Sequence, residues 1–203
     1  FFEKNIVYAI ELNNSGSMDL FLATYNNGSA GESQNFSKEM NTSNHHETAI
    51  SFTGDKLTAF FSRKDKKNDK GLTKIYMASY DGFKWTEIKS LPFNGNNYSW
   101  KHPSITSDGK KIYFSSDVKG GKGGYDIYFS EKNGDSWSKP QNIESINTAW
   151  DEMYPHIDED DKIFFASNGH TGYGGLDIFY ALLWKNKWTN VTNLRKPVNS
   201  SAN

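Results

Sequence analysis

Short apolar runs alternate with polar turns along the chain, and no long stretch places apolar residues at helical spacing. The runs KIYF at residues 111–114 and KIFF at residues 162–165 are almost wholly apolar. A strand with one face in water would alternate apolar and polar residues, so such runs predict strands that are covered on both faces. Gly, Asn, Asp and Ser stand between the runs, as tight turns require. The pattern predicts an all-β domain.

The pattern repeats with a period of about 52 residues. Trp85, Trp137 and Trp188 close successive units, and the spacings between matching landmarks stay within 51 to 53 residues. Three further sets of landmarks keep this spacing: Ile50, Pro103 and Pro155; Phe61, Phe114 and Phe165; and Ile75-Tyr76, Ile127-Tyr128 and Ile178-Phe179. So regular a spacing indicates repeats of one structural unit.

Each unit is predicted to hold four strands, which we name A to D. In the third unit strand A covers residues 103–106, strand B residues 111–114 and strand C residues 125–129, and strand D begins at Trp137. Pro140 lies in this strand D, and proline has no backbone donor for a sheet ladder, so strand D is expected at the outer edge of its sheet. The fourth unit repeats the arrangement at residues 155–158, 162–165 and 176–180 and from Trp188 onward.

A glycine-rich connection precedes strand C, with GGKGG at residues 120–124 and GHTGYGG at residues 169–175. Glycine loops that bind phosphates lead into a helix N-terminus, and no helical pattern follows here, so we interpret both as hairpin connections. Asp126 and Asp177 come directly after or shortly after these connections. We interpret them as recurrent hydrogen-bonding residues at the start of strand C rather than as metal ligands.

Four-stranded units whose sheets are apolar on both faces are typical of β-propeller blades. We assign blades to residues 45–97, 98–149 and 150–203, and a partial blade to residues 1–44. In the partial blade strand A is missing, and Phe36 is aligned with the closing tryptophans. Closed rings usually have about four to eight blades. We therefore expect about four blades in a ring that these residues leave incomplete, and that further blades or a partner complete.

The composition removes several classes of function. The formal net charge is -1 and the pI is about 6.6, so no basic field attracts a nucleic acid. The absence of cysteine excludes disulfides and thiolate metal sites. No apolar run approaches the roughly 20 residues that a membrane-spanning helix needs. The charged run at residues 63–70 mixes both signs, so we interpret it as a solvated hairpin insertion.

Catalytic chemistry is not expected. Residues 130–137 resemble the Asp-box turn of sialidases, but Lys132 stands at the aspartate position. The carboxylates at residues 151–152 and 159–161 are sequence neighbours on loops, whereas glycoside hydrolysis needs two carboxylates about 5 to 10 Å apart in a pocket. A sialidase-like or lyase-like propeller is the less favoured alternative. We expect no metal site and no cofactor, and we interpret as solvated or capping residues the histidines His45, His46, His102, His156 and His170.

Antiparallel strands place the D-to-A links and the B-to-C loops at one end of the blades. We predict that this end binds a protein partner, because interface centres favour aromatic anchors. Trp100 and Trp150 would be the anchors if exposed; the alternative is that both rings cover the inner ends of neighbouring blades. Exposed tryptophans would also suit a carbohydrate-binding propeller, in which they stack on sugars. The predicted face consists of Trp100, His102, Trp150, Asp151 and Glu152 from D-to-A links and of Lys119, Lys122, His170 and Tyr173 from the glycine loops.

The third and fourth units resemble the WD40-like propeller repeat family (PD40), in particular the propellers of OmpA-family envelope proteins and, more distantly, TolB. In the third unit the matching residues are Pro103, DGK at 108–110, IYFSS at 112–116, DIY at 126–128, Trp137, Pro140 and INT at 146–148. In the fourth they are FFASNGH at 164–170, GGLDIF at 174–179, Trp188 and PVNS at 197–200. The second unit matches loosely and the first only in part.

The resemblance implies a periplasmic, outer-membrane-associated location. It also implies a role in assembling envelope complexes, such as type IX secretion or gliding machinery, with other envelope proteins as partners. Family members often carry a peptidoglycan-binding OmpA-like domain after the propeller. Residues 1–203 do not contain that domain, so cell-wall binding is not expected of them.

Overall fold

The computed structural model describes residues 5–12, 17–65, 71–160 and 162–201, and all regular elements in these ranges are β-strands. The strands form four antiparallel sheets, which are the blades of a β-propeller. The predicted all-β fold with four-stranded antiparallel blades is confirmed.

The blades follow one another along the chain. The first contains β1 (Asn5–Leu12), β2 (Ser17–Asn26), β3 (Ser29–Ala30) and β4 (Gln34–Asn35), with β3 and β4 both paired to β2. The second contains β5 (His45–Phe52), β6 (Thr58–Asp65), β7 (Thr73–Tyr80) and β8 (Trp85–Ser90) in that order. The third contains β9 (Trp100–Ile105), β10 (Lys111–Ser116), β11 (Asp126–Asn133), β12 (Ser136–Trp137) and β13 (Gln141–Asn142). The fourth contains β14 (Glu152–Ile157), β15 (Lys162–Ser167), β16 (Asp177–Trp184) and β17 (Lys187–Asn193).

Strand D of the third blade is divided in two. β12 and β13 both pair with β11 on its outer side, and Pro140 lies between them, outside the ladder. This agrees with the outer-edge position predicted from the proline, which cannot donate to a neighbouring strand.

Each closing tryptophan packs its ring against the preceding blade. The ring centroids are 5.7 Å apart for Trp85 and Phe36, 5.8 Å for Trp137 and Phe60, and 5.9 Å for Trp188 and Tyr113. A tryptophan in such a site buries about 150 to 250 Å². One aromatic contact, made three times, therefore holds successive blades together.

The sequence alignment predicted that Phe36 holds the position of a closing tryptophan. The structure shows that it does not. The Phe36 N–H donates to the carbonyl of Leu20 at 3.0 Å. The same backbone bond joins Leu91 to Ile75, Ile143 to Ile127 and Leu194 to Ile178. Phe36 is thus equivalent to Leu91, Ile143 and Leu194, and Ala30 stands where the later blades have tryptophan. Ala30 precedes Phe36 by the same six residues that separate each closing tryptophan from its equivalent of Phe36, so the first blade has alanine at the closing position.

An asparagine fixes the D-to-A link of every blade. In the third blade the Ile127 N–H donates to Asn147 Oδ1 at 2.9 Å, and Asn147 Nδ2 donates to the Ile127 carbonyl at 2.8 Å. The side chain thereby pairs with strand C as a neighbouring strand would. The same two bonds join Asn41 to Leu20, Asn94 to Ile75, and Asn199 to Ile178.

The inner strands carry a bulge at one repeated position. The pairing register shifts there in β5, β9 and β14, and the bulged residues Ala49, His102 and Tyr154 have φ values of 40°, 57° and 54°. Non-glycine residues seldom adopt positive φ. Beside these bulges a cavity of about 550 Å³ lies between the three inner strands, with His102, Tyr154 and His156 in its wall.

Arg63 is buried, which corrects the interpretation of the whole charged run as a solvated loop. Its Nε donates to Glu47 Oε1 at 3.0 Å, its Nη2 donates to the Met40 carbonyl at 2.6 Å, and its guanidinium lies over the Phe61 and Tyr76 rings. Burial raises the pKa of the Glu47 carboxyl, and the charge of Arg63 opposes that shift. Residues 66–70 of the run lie outside the described residues.

The fourth blade exposes a sheet face that is covered in the other three. Ile178 is 39% exposed, whereas Leu20, Ile75 and Ile127, which hold the same position, are fully buried. Phe164 is half-buried, whereas its equivalents Phe60 and Tyr113 are covered by Trp137 and Trp188. Among the described residues, the propeller is open at this face.

Candidate interaction face

The predicted interaction face is built where the link before the fourth blade passes between two glycine loops. Asp151 connects the two loops: its Oδ1 accepts the Tyr125 N–H at 2.7 Å, and its own N–H donates to Asn168 Oδ1 at 2.8 Å. The Glu152 N–H donates to the Tyr125 carbonyl at 2.7 Å. The link is therefore hydrogen-bonded to the glycine loops of both the third and the fourth blade.

Trp150 is held rigidly by its backbone and presents its ring to solvent. A Cβ atom on Gly123 would lie 1.6 Å from the Trp150 carbonyl oxygen, and one on Gly169 would lie 3.1 Å from Trp150 Cβ. Only glycine allows so close an approach at the first position. The Trp150 N–H donates to Thr148 Oγ1 at 3.1 Å, and the side chain is 65% exposed. The fold thus fixes the main chain of this tryptophan and leaves its indole free to contact another molecule.

The glycine loops are closed by the two repeated aspartates. Asp126 accepts the N–H groups of Lys122 and Gly123 and a bond from Asn142 Nδ2. In the fourth blade Asp177 accepts the N–H groups of Tyr173 and Gly174. The interpretation of Asp126 and Asp177 as hydrogen-bonding residues at the start of strand C is confirmed.

Four other predicted residues lie in these loops. The Lys122 ammonium donates to the Glu144 carbonyl at 2.6 Å, and His170 Nε2 donates to the Ile146 carbonyl at 2.8 Å, so both tie a loop to the D-to-A link. Lys119 and Tyr173 are exposed. Lys101, which the sequence did not single out, lies with its ammonium 3.6 Å from the centre of the Tyr125 ring. Aromatic and cationic groups therefore lie on the same loops and links as Trp150.

Trp100 belongs to the core, which corrects its prediction as an exposed anchor. It is 5% exposed and packs against Phe93 and Phe114, with centroid distances of 5.8 Å and 5.7 Å. Trp100 pairs with Ser116 in the register where Glu47 pairs with Arg63 in the second blade. The ring thus fills an inner-strand position that faces the interior, and the alternative reading, in which it covers the inner end of a blade, is right for Trp100.

Glu152 is also interior and is removed from the contact surface. It is fully buried, its Oε2 accepts the Thr148 N–H, and its Oε1 accepts the hydroxyls of Thr148 and Ser167, each at 2.7 Å. These bonds replace the Arg63 partner that Glu47 has at the same position of the second blade. Glu152 holds the start of β14 in place.

His102 faces the central cavity rather than the glycine loops. The His102 ring stacks on Tyr154 with centroids 3.9 Å apart, and the backbone N–H of His102 donates to Ser62 Oγ at 2.9 Å across the blade boundary. Burial lowers the pKa of His102 to about 3, and the positive charge of Lys101 adds to the shift. The imidazole is therefore neutral over the physiological range.

The arrangement of carboxylates does not form a hydrolytic pair. Asp151 accepts the Tyr125 N–H and Glu152 is buried, while Glu159 and Asp160 lie exposed in the turn between β14 and β15. Within the described ranges, no three His, Asp or Glu side chains are grouped so that they could hold a metal ion. Residues 130–137 form the β11–β12 hairpin turn.

Comparison with solved structures supports the fold. The chain superimposes on a TolB-like protein of Agrobacterium tumefaciens with a TM-score of 0.60 and 16% identity, covering 98% of this chain and 65% of that one. A prolyl endopeptidase matches with a TM-score of 0.50 and 12% identity, over 96% of this chain and 26% of that one. The β-propeller domain of the Trilobed protease of Pyrococcus furiosus matches with a TM-score of 0.49 and 17% identity, over 98% of this chain and 52% of that one. The chain thus spans less than two thirds of the length of each.

The chain is similar to TolB-like β-propellers in fold, and this similarity does not extend to a family assignment. No protein-family model and no curated protein matches the sequence. Within the described part of the chain, no helix is long and apolar enough to cross a bilayer.

Proposed function

We propose that this chain is a non-enzymatic protein-interaction scaffold of the bacterial envelope, which binds a protein partner through the Trp150 face. The observation that carries the proposal is the exposed Trp150 ring on a backbone that two glycine loops hold in place. Tryptophan is enriched among the few residues that dominate binding energy at interfaces. A ring on a fixed backbone also loses little conformational freedom on binding.

The surroundings of Trp150 favour binding over catalysis. Of the carboxylates nearest in sequence, Glu152 is fully buried with both oxygens hydrogen-bonded, and Asp151 accepts the Tyr125 N–H, so the pair is committed to holding the link rather than arranged as two free carboxylates in a pocket. Lys119, Lys122 and Tyr173 are exposed on the glycine loops at the same end of the blades, and polar and aromatic residues of this kind are usual at the rims of protein interfaces. The face therefore offers an anchor and a rim but no reactive group.

The envelope location rests on the resemblance of the third and fourth units to the PD40 repeats, together with the similarity of the fold to a TolB-like protein. Periplasmic placement, association with the outer membrane and participation in type IX secretion or gliding machinery are parts of this proposal. Its partners would be other envelope proteins.

Site-specific photo-crosslinking tests the proposal. Trp150→p-benzoyl-phenylalanine would be irradiated in an envelope preparation beside a control with the same probe at Glu159, an exposed residue of the β14–β15 turn. We expect a discrete adduct from position 150 and none from position 159. Equal patterns from both positions, or no adduct from either, would argue against this face.

Carbohydrate binding is a second candidate, because Trp150 and Tyr173 are exposed aromatic rings near the same loops. Sugar-dependent changes in tryptophan fluorescence, compared between wild type and Trp150→Ala, would identify it. A protein-binding scaffold should give no such change with any member of a glycan panel.

A further inference from the structure

The second blade carries two exposed apolar side chains in its turns. Phe83 is 95% exposed in the turn between β7 and β8, and Leu57 is 50% exposed in the turn between β5 and β6. These turns lie at the end of the blades opposite the glycine loops, because successive strands run antiparallel. Neither side chain contributes to the face around Trp150.

The third and fourth blades, which we call the sister blades, show that the fold does not require apolar residues at the positions of Leu57 and Phe83. Asp135 stands two residues before Trp137, as Phe83 stands two before Trp85, and Asn186 has the same position in the fourth blade. Lys110 precedes β10 as Leu57 precedes β6. Only the second of these three blades has apolar residues at both positions, so the repeat itself does not explain them.

Both side chains border one groove between the first and second blades. The groove has a volume of about 870 Å³, and Leu57 and Phe83 lie at its rim. The apolar part of its wall is formed by Leu22, Phe36, Tyr80 and Trp85, beside polar residues such as Asn35 and Ser37. Phe36 and Trp85 are in ring contact with each other, so the wall is the rigid blade interface. A groove of this size and apolar character is typical of a binding site.

The lysines and the aspartates around the groove differ in whether they already have polar partners. Lys38, Lys56 and Lys84 line it, are exposed, and have no carboxylate within salt-bridge distance among the described residues. Asp55, in contrast, accepts the Thr53 hydroxyl at 2.6 Å and the Leu57 N–H at 2.9 Å.

Asp81 is likewise hydrogen-bonded within its own turn, since its Oδ1 accepts the N–H groups of Phe83 and Lys84, each at 2.9 Å. These hydrogen bonds lower the pKa values of both aspartates. A third carboxylate, Glu39, also lines the groove and accepts the Ser37 hydroxyl at 3.0 Å. All three carboxylates therefore accept hydrogen bonds from their own segments, while the three ammonium groups have no salt-bridge partner among the described residues and can pair with a ligand.

We propose that this groove binds an extended segment of a second protein that carries a bulky apolar side chain flanked by carboxylates. The apolar side chain contacts Phe83, Leu57 and the aromatic wall, and the carboxylates pair with Lys38, Lys56 and Lys84. The propeller then engages two partners at opposite ends of its blades. This site is independent of the Trp150 face, and either could exist without the other.

Fluorescence anisotropy with labelled peptides tests the site. The probe is a nine-residue peptide with two central phenylalanines and glutamate and serine residues on both sides, a length chosen on the order of that of one extended strand. One control peptide has lysine in place of each glutamate, and another has serine in place of each phenylalanine. We expect saturable binding of the first peptide at submillimolar concentration and at least tenfold weaker binding of both controls.

Variants that copy the sister blades provide the matched test. Phe83→Asp and Leu57→Lys introduce the residue types of Asp135 and Lys110 at exposed positions, so folding should be retained. We expect at least tenfold weaker binding for Phe83→Asp, and no change for Asp135→Ser or Trp150→Ala.

Two kinds of result would overturn the proposal: absence of saturable binding by the wild type, or undiminished binding by a folded Phe83→Asp variant. Equal binding of the lysine-flanked peptide would show a non-selective apolar surface and would likewise overturn it. The Trp150→Ala result separates this site from the proposed scaffold face, because that variant alters the scaffold face and leaves the groove intact.

Discussion

Trp137 of the third blade meets Phe60 of the second edge to face, with ring centroids 5.8 Å apart and ring planes at 86°. Aromatic pairs favour this geometry, which stabilises them beyond the contribution of the area that they bury. The pair joins two blades that are otherwise separate sheets. It therefore contributes to stability between repeats rather than within one.

Trp137→Ala should lower the free energy of unfolding by about 3 kcal/mol, the lower end for a buried tryptophan, because this ring is only partly buried. Urea denaturation followed by circular dichroism would measure it. Trp184→Ala is the control, because Trp184 is exposed and should change stability little. Equal effects of the two substitutions would remove Trp137 from the blade interface.

Arg63→Met should destabilise the second blade by about 3 to 5 kcal/mol near neutral pH, since it leaves the buried Glu47 carboxylate without its cation. The pKa of Glu47 is raised on folding, so its contribution favours folding at low pH and is lost as pH rises through the folded-state pKa. Without Arg63 the pKa should rise further. The variant's stability should therefore fall more steeply than the wild type's above about pH 4.5, the usual value of this carboxyl.

The double variant Glu47→Gln, Arg63→Met supplies the control, because it has no buried charge to desolvate. Its unfolding free energy should show a weaker pH dependence than that of Arg63→Met. If the two variants had identical pH profiles in urea titrations, the ion pair would not explain the burial of Arg63.

Asn147→Ala should cost about 1 to 3 kcal/mol, because it removes both bonds to Ile127 and leaves the buried Ile127 N–H without a partner, whereas the Ile127 carbonyl still accepts the Ile143 N–H. Asn147→Asp keeps an acceptor for the Ile127 N–H but has no donor for the carbonyl, so it tests the two bonds unequally. Thermal melts of both variants, beside the exposed control Asn133→Ala, would measure the effect. A neutral Asn147→Ala would show that the link is held by other contacts.

His102 should remain neutral down to about pH 3, so its imidazole signals in NMR should not titrate between pH 8 and pH 5. A histidine with a lower pKa in the folded chain binds its proton more readily when unfolded. Its contribution is fully present above the usual pKa of 6.5 and is lost as pH falls toward the folded-state value. His102→Phe, which retains stacking on Tyr154, should show a smaller loss of stability between pH 6.5 and pH 3. Titration of the His102 signals near pH 6.5 would contradict the buried placement.

The repeat pattern predicted the parts of the fold that depend on regular spacing. Trp137 and Trp188 could be placed between blades because each follows an apolar strand at a fixed distance, and Asp126 and Asp177 could be assigned to strand starts for the same reason. Blade-forming strands have to bury both faces, so their periodicity is under direct physical constraint.

The links between blades do not have that constraint, and the sequence was less informative there. Trp100 and Trp150 both lie in or next to D-to-A links, yet Trp100 begins β9 and lies in the core opposite Ser116, whereas Trp150 precedes β14 and is in solvent. Arg63 looked like part of a charged loop because its partner Glu47 is on another strand. Phe83 was missed because a short turn gives no periodic signal.

The central claim is that Trp150 anchors a protein partner. Once photo-crosslinking has identified that partner, its affinity should be measured by isothermal titration with wild type, Trp150→Ala and the exposed control Trp184→Ala. We expect unchanged melting temperatures and a loss of at least about 1 kcal/mol in binding for Trp150→Ala, roughly a fivefold higher Kd, with Trp184→Ala equal to wild type. Full affinity in a folded Trp150→Ala variant would contradict the account and place the interface elsewhere.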